Sequence, residues 1–212
     1  MKRTIAIAGN MGSGKSTLVE FLSRAYGIAP FYEPNEANPY LPDFYSDMQR
    51  WAFHSQLYFL SSKFRIHQEL DRSPGAVILD RTIFEDAEVF AKALRDMRAI
   101  DDRDWETYWS FYQTILAAIR PPDLLIYLRC SIRTLRRRIQ LRDRAMEREV
   151  SADYLRRLNR LYDRWLASYT LSEVLILETD KLDYVNDLIH RLDVMERIEA
   201  VLPADFGRPK VC

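Results

Sequence analysis

The sequence is short of cysteine and histidine, balanced in charge and without a long hydrophobic run, and each shortage excludes something. Its two cysteines, Cys130 and Cys212, are too few for a disulfide framework. Both are expected as free thiols in a reducing, cytoplasmic setting. The three histidines, His54, His67 and His190, do not group, and no Cys/His spacing suggests zinc. Lys plus Arg number 31, as do Asp plus Glu, so the net charge of zero gives nucleic acid no reason to be the main partner. No apolar run approaches the roughly 20 residues that span a bilayer. No secretory signal is expected either, because Lys2-Arg3 is followed by only a brief apolar stretch. Proline and glycine are scattered, and there is no internal repeat or low-complexity linker. One domain over residues 1–212 is expected.

What remains is an ordinary globular balance, 48% hydrophobic and 29% charged, enough for one sizeable α/β core. Within it, Gly9-Asn10-Met11-Gly12-Ser13-Gly14-Lys15-Ser16 matches G-x-x-x-x-G-K-[ST] at every fixed position. The apolar run Ile5-Ala6-Ile7-Ala8 precedes it as a short buried strand. Thr17-Leu18-Val19-Glu20-Phe21-Leu22 follows with helical spacing. The glycines let backbone N–H groups curl around an anion, and the following helix aims its positive end at the same spot. Lys15 would reach β- and γ-phosphate oxygens, and the Ser16 hydroxyl could ligate Mg2+.

Along the chain, strands are expected near Thr4–Ala8, Ala29–Pro34, Ala76–Leu79, Asp123–Leu128 and Val174–Leu177. Helices are expected over Gly14–Tyr26, Ser46–Leu70, Phe84–Arg95, Arg103–Ile119, Ser131–Leu141, Ser151–Tyr169 and Tyr184–Val201, with a Pro- and Asn-rich loop at Asn35–Tyr45. Gly27 stops the first helix and Pro121-Pro122 the fourth. Alternating strands and helices imply a five-stranded parallel sheet covered on both faces. Ligands of such sheets bind beyond the carboxyl ends of the strands. The glycine loop, Glu33 and Asp80 should therefore converge on one cleft.

Asp80-Arg81-Thr82 follows the third strand. Asp80 could reach the metal that Ser16 serves, or simply cap the next helix. Arg81 could pair with Glu33 or touch a phosphoryl acceptor. Glu33 could accept a proton from an attacking hydroxyl. Arg133, Arg136, Arg137, Arg138, Arg142, Arg144 and Arg148 crowd one segment, with Arg138 and Arg142 on one helix face. They read either as a flap that closes over migrating phosphate or as a solvated basic helix paired with Glu147 and Glu149. Tyr40, Tyr45, Trp51, Phe53 and Phe59 read as packing. Gln56 among them stands out, because a buried amide can read a base edge through two hydrogen bonds.

These residues resemble the deoxyribonucleoside kinases of the deoxycytidine, deoxyguanosine and deoxyadenosine kinase type. Glu33-Pro34 with Asn38-Pro39-Tyr40-Leu41 and Phe44-Tyr45 is similar to the family's glutamate motif. Trp51-Ala52-Phe53-His54-Ser55-Gln56 is similar to its W-x-F-x-x-Q helix. Asp80-Arg81-Thr82 stands where the family has Glu/Asp-Arg-Ser, and Arg138, Arg142, Arg144 and Glu147 fall at the lid spacing R-x-x-x-R-x-R-x-x-E.

The resemblance implies a P-loop kinase fold with a lid over about 137–150, acting in nucleotide salvage. ATP would be held by Gly9, Asn10, Met11, Gly12, Ser13, Gly14, Lys15, Ser16 and Thr17, and Mg2+ by Ser16 and Asp80. Glu33 would be general base on the 5′-hydroxyl, with Arg81 holding both. Tyr45 and Glu147 would bind the sugar 3′-hydroxyl and Gln56 the base. Arg138, Arg142 and Arg144 would steady the transferring phosphoryl group. Lys63 and Asp86 would favour a purine, deoxyadenosine or deoxyguanosine, with deoxycytidine open, as in a bacterial purine deoxynucleoside kinase. A homodimer packed through the long helices is implied, with neither nucleic acid nor membrane as partner.

Two other readings share the loop. A nucleoside monophosphate kinase would need an arginine-lined acceptor site, whereas Glu33 would repel an incoming phosphate. A nucleotide switch for guanine would carry N-K-x-D or D-x-x-G segments, and neither is found.

Overall fold

The computed structural model describes residues 3–32, 37–73, 75–144, 147, 150–183 and 187–202. The strands are β1 (Thr4–Gly9), β2 (Ala29–Phe31), β3 (Val77–Asp80), β4 (Leu124–Arg129) and β5 (Glu173–Glu178). They form one parallel sheet in the order β2-β3-β1-β4-β5. The helices are α1 (Lys15–Tyr26), α2 (Leu41–Ser46), α3 (Met48–Arg72), α4 (Ile83–Glu85), α5 (Lys92–Asp96), α6 (Asp102–Leu116), α7 (Ile132–Arg142), α8 (Ala152–Ala167) and α9 (Leu188–Glu199). The expected α/β class is therefore found.

β1 sits at the centre, with Ile7 opposite Asp80 of β3 and Gly9 opposite Leu128 of β4. Its apolar run is buried on both faces, as a central parallel strand requires. Alternation splits it between two cores. Ile5 and Ile7 pack with Leu18, Val19 and Leu22 of α1 and with Val194 and Ile198 of α9. Ala6 and Ala8 face the opposite layer, which holds Leu60 of α3, Tyr127 of β4 and Leu155, Leu158 and Tyr162 of α8. The small alanines leave room there for large aromatics. The crossover after β1 leads to β2 on one side and the crossover after β3 leads to β4 on the other, so the carboxyl ends of the adjacent β1 and β3 mark the sheet's switch point, where ligands of such folds bind.

Several boundaries differ from the sequence expectation. β2 ends at Phe31. Glu33, with Pro34, Asn35 and Glu36, lies outside the described residues. The expected loop up to Tyr45 contains α2, whose Pro42 falls in the first turn, where no N–H is needed. The helix expected over Phe84–Arg95 is three pieces, because Asp86–Ala91 forms a π-helical turn between α4 and α5. The last helix is described from Leu188, while Tyr184, Val185 and Asn186 lie outside the described residues, as does Cys212. Cys130 is a buried free thiol. Among the described residues, no helix is long and apolar enough to cross a membrane.

Candidate active site

The glycine loop leaves β1 at the switch point and ends in Gly14, whose left-handed backbone (φ 101°) caps α1. Gly12 is also left-handed, at φ 78°. A Cβ there would lie 2.9 Å from both the Leu135 carbonyl oxygen and Ile139 Cγ1 of α7, so only glycine lets that helix pack against the loop. Lys15 is buried, and its Nζ donates to the carbonyls of Gly9 at 2.9 Å and Asn10 at 3.1 Å, inside the curl. Asn10 ties the loop to α8: its amide donates to the Leu155 carbonyl at 3.0 Å and to Asn159 Oδ1 at 2.7 Å. Asn159 in turn donates to the Cys130 carbonyl. Sequence reasoning passed over Asn159 because a lone helical asparagine carries no signal.

Ser16 and Asp80 do meet. The Ser16 hydroxyl donates to Asp80 Oδ2 at 2.5 Å. Asp80 Oδ1 is buried with no hydrogen-bond partner among the described residues. A hydroxyl beside a carboxylate with a spare oxygen suits Mg2+, which takes one or two protein oxygens and completes its shell with water and phosphate.

Arg81 is buried and backbone-strained, with φ 70°, and its N–H donates to Ile7 at 2.9 Å. Its Nε lies 3.3 Å from Glu85 Oε1. Its Nη2 donates to the Gly9 carbonyl at 3.3 Å, and the Phe90 ring lies 4.0 Å beneath the guanidinium. Glu85 is the functional candidate missed from sequence. It is fully buried, and it closes a capping box with Thr82, whose hydroxyl accepts from the Glu85 N–H at 3.0 Å. That T-x-x-E spacing was readable, but only as a helix start. Its other partners, Gly9 and Tyr162, are distant in the chain.

Beyond Arg81 lie the residues expected to read a base. Lys63 and Asp86 form an ion pair at 2.9 Å, each side chain 4% exposed. The π-helical turn starts at Asp86. Gln56 is buried, and its Oε1 has no hydrogen-bond partner among the described residues. Burying such an atom unsatisfied is costly, so it marks a place where a ligand donor is wanted. Lys63, Asp80 and Arg81 line one small cavity of about 10 Å³ with Phe31 and His67. The Tyr45 hydroxyl meets the Met11 sulfur at 3.6 Å.

The arginine-rich segment divides. Arg138 cross-links the loop to the chain after β5, donating to Ser13 at 3.0 Å and to the Thr179 carbonyl at 2.7 Å. α7 ends at Arg142, where Asp143 turns left-handed at φ 49°. Arg142 pairs with the buried Glu147, and Arg144 lies 3.6 Å from it. The expected pairing of this segment with Glu147 is thus present, whereas Glu149 and Arg148 lie outside the described residues. Arg133, Arg136 and Arg137 lie on the outer side of α7, as a solvated basic face.

Comparison with known proteins gives a consistent picture. The sequence model described as deoxynucleoside kinase matches residues 5–203. The chain is 33% identical over 200 residues to the deoxyadenosine/deoxycytidine kinase of Bacillus subtilis, covering 93% of this chain and 92% of that one. It is 34% identical over 207 residues to the deoxyguanosine kinase of Lactobacillus johnsonii, covering 93% and 92%. Among solved structures, the deoxyadenosine kinase from M. mycoides with products dCMP and a flexible dCDP superposes with a TM-score of 0.83 at 29% identity, covering 93% of this chain and all of that one. The same enzyme with bound dATP gives a TM-score of 0.82, also at 29% identity, over 93% of this chain and 99% of that one.

Proposed function

The chain belongs to the deoxynucleoside kinase family and has its P-loop kinase fold, and from that premise we propose the following course of reaction. ATP gives its γ-phosphoryl group to the 5′-hydroxyl of a purine deoxynucleoside, deoxyadenosine or deoxyguanosine before deoxycytidine. The observation that carries this reading is the common cavity of Lys63, Asp80 and Arg81, which joins the metal-suited carboxylate, a strained arginine and the buried Lys63–Asp86 pair.

Gly9 to Thr17 bind the phosphates of ATP, with loop N–H groups and Lys15 facing the β- and γ-oxygens. Ser16 and Asp80 would hold Mg2+, which would supply charge neutralisation on those oxygens. Arg81 orients the 5′-hydroxyl, and Glu33 accepts its proton as the new O–P bond forms, the bond from the γ-phosphorus to the β,γ-bridging oxygen breaks and ADP leaves. Gln56 offers its amide to the base edge, and Lys63 with Asp86 discriminates the ring. Tyr45 and Glu147 take the sugar 3′-hydroxyl once the lid, about residues 137–150, closes and Arg142 and Arg144 turn to phosphate. Arg138 braces loop and lid helix, while its catalytic part is contact with the phosphoryl group. Such an enzyme works in the cytoplasm, in salvage, as a homodimer packed through its long helices.

The test is ADP release with Mg2+·ATP, giving kcat/KM for the four deoxynucleosides, for dAMP and without acceptor. The reading expects a purine deoxynucleoside to lead and dAMP to be inert. Faster turnover with dAMP would replace it with a monophosphate kinase.

A further inference from the structure

Resting on the reading of Arg81 as the arginine that meets the acceptor hydroxyl, we propose that Glu85 is a positioning residue for phosphoryl transfer. It locks the Arg81 guanidinium and the first peptide of the phosphate loop into one fixed relation.

Four groups address the Glu85 carboxylate, and all are donors or cations. Oε1 lies 3.3 Å from Arg81 Nε, accepts the Gly9 N–H at 3.1 Å and accepts the Tyr162 hydroxyl. Oε2 lies 3.5 Å from the Thr82 N–H. Burial, and then the Glu85 charge, push the Tyr162 hydroxyl well above its ordinary pKa, which keeps it a donor. A helix cap alone could be served by an exposed glutamate. Here the side chain is 0% exposed, and burying a charge is costly unless it is paired and hydrogen-bonded.

The second half of the device is Gly9. Glu85 takes its N–H, and Arg81 Nη2 donates to its carbonyl at 3.3 Å. Gly9 lies at φ 154°, and a Cβ would sit 2.6 Å from Ser13 Oγ, so the residue is confined from both sides. Phe90 closes the remaining face of the guanidinium at 4.0 Å. The loop that carries the donor phosphates and the arginine that meets the acceptor therefore share one anchor. Misplacement of reacting groups by about 1 Å can cost on the order of 10²-fold in rate.

The experiment measures kcat and both KM values for wild type, E85Q, R81M, E85Q/R81M and Y162F, with the folded fraction checked by circular dichroism. The E85Q change keeps the volume and an accepting oxygen but removes the charge. The expected result is a kcat about 10- to 100-fold lower in E85Q, with KM for ATP and deoxyadenosine within about 3-fold. In the R81M background the same change should alter kcat by less than about 3-fold, because its target is already gone. Equal losses in both backgrounds, or an unchanged kcat in E85Q beside a large loss in R81M, would overturn the proposal alone. An unchanged kcat in R81M would overturn both the proposal and the reading of Arg81. Should E85Q fail to fold, Y162F removes only a donor to Glu85. It should lower kcat by roughly 2- to 5-fold at constant KM, and a wild-type kcat there would also overturn the idea.

Discussion

Replacing Asp86 by Ala would leave the Lys63 ammonium in a site where both side chains are 4% exposed, without the carboxylate 2.9 Å away. Removing one partner of a buried pair costs about 3–5 kcal/mol, because the surviving charge keeps its desolvation penalty. For a chain of this size each kcal/mol lowers Tm by roughly 2–4 °C, so D86A should melt roughly 6–20 °C below wild type. K63M should fall in the same range, with the carboxylate as the stranded ion. The double variant removes both charges and should lose about 2–3 kcal/mol less than the two single losses added together, which is the coupling read in a double-mutant cycle. Urea unfolding measures all four stabilities, and kcat/KM with deoxyadenosine and deoxycytidine measures the functional side. The double variant should shift the purine-to-pyrimidine ratio toward pyrimidines. Strictly additive stability losses would refute the buried-pair argument, and an unchanged ratio would remove the pair from base recognition.

Two other outcomes follow from the site. E33A should lower kcat by about 10²–10⁴, the usual share of a general base, with ATP affinity nearly intact by nucleotide titration. G12A should cost about 2–5 kcal/mol by urea unfolding. Left-handed backbone for a Cβ residue adds roughly 1–2 kcal/mol, and its 2.9 Å contact with the Leu135 backbone oxygen adds overpacking of about 1–3 kcal/mol.

How much of this was legible before the structure depends on whether a signal was local. The loop and its flanking strand and helix were readable, because phosphate binding fixes residue types within eight consecutive positions, Gly9 to Ser16. β3 and β4 were readable because a doubly covered strand must be a continuous apolar run. The π-helical turn at Asp86–Ala91 was not, since its residues suit an α-helix equally well and packing alone selects the wider turn. Ser16 with Asp80 could be paired on paper, because both follow strands that end on one side. Glu85 could not be separated from an ordinary surface glutamate, because its burial depends on Tyr162, 77 positions away. Arg138 stands among arginine neighbours in the sequence, yet its hydrogen bonds reach Thr179 across 41 positions, a contact that helical spacing does not encode.

The proposed chemistry requires a neutral 5′-hydroxyl between the phosphate loop and a carboxylate. A crystal structure of the complex with deoxyadenosine, Mg2+ and a non-hydrolysable ATP analogue tests it most directly. The Glu33 carboxylate and the Arg81 guanidinium should lie within hydrogen-bond reach of the 5′-oxygen, with the γ-phosphorus in line. A Glu33 side chain turned away from the sugar, with another group on the 5′-oxygen, would contradict it.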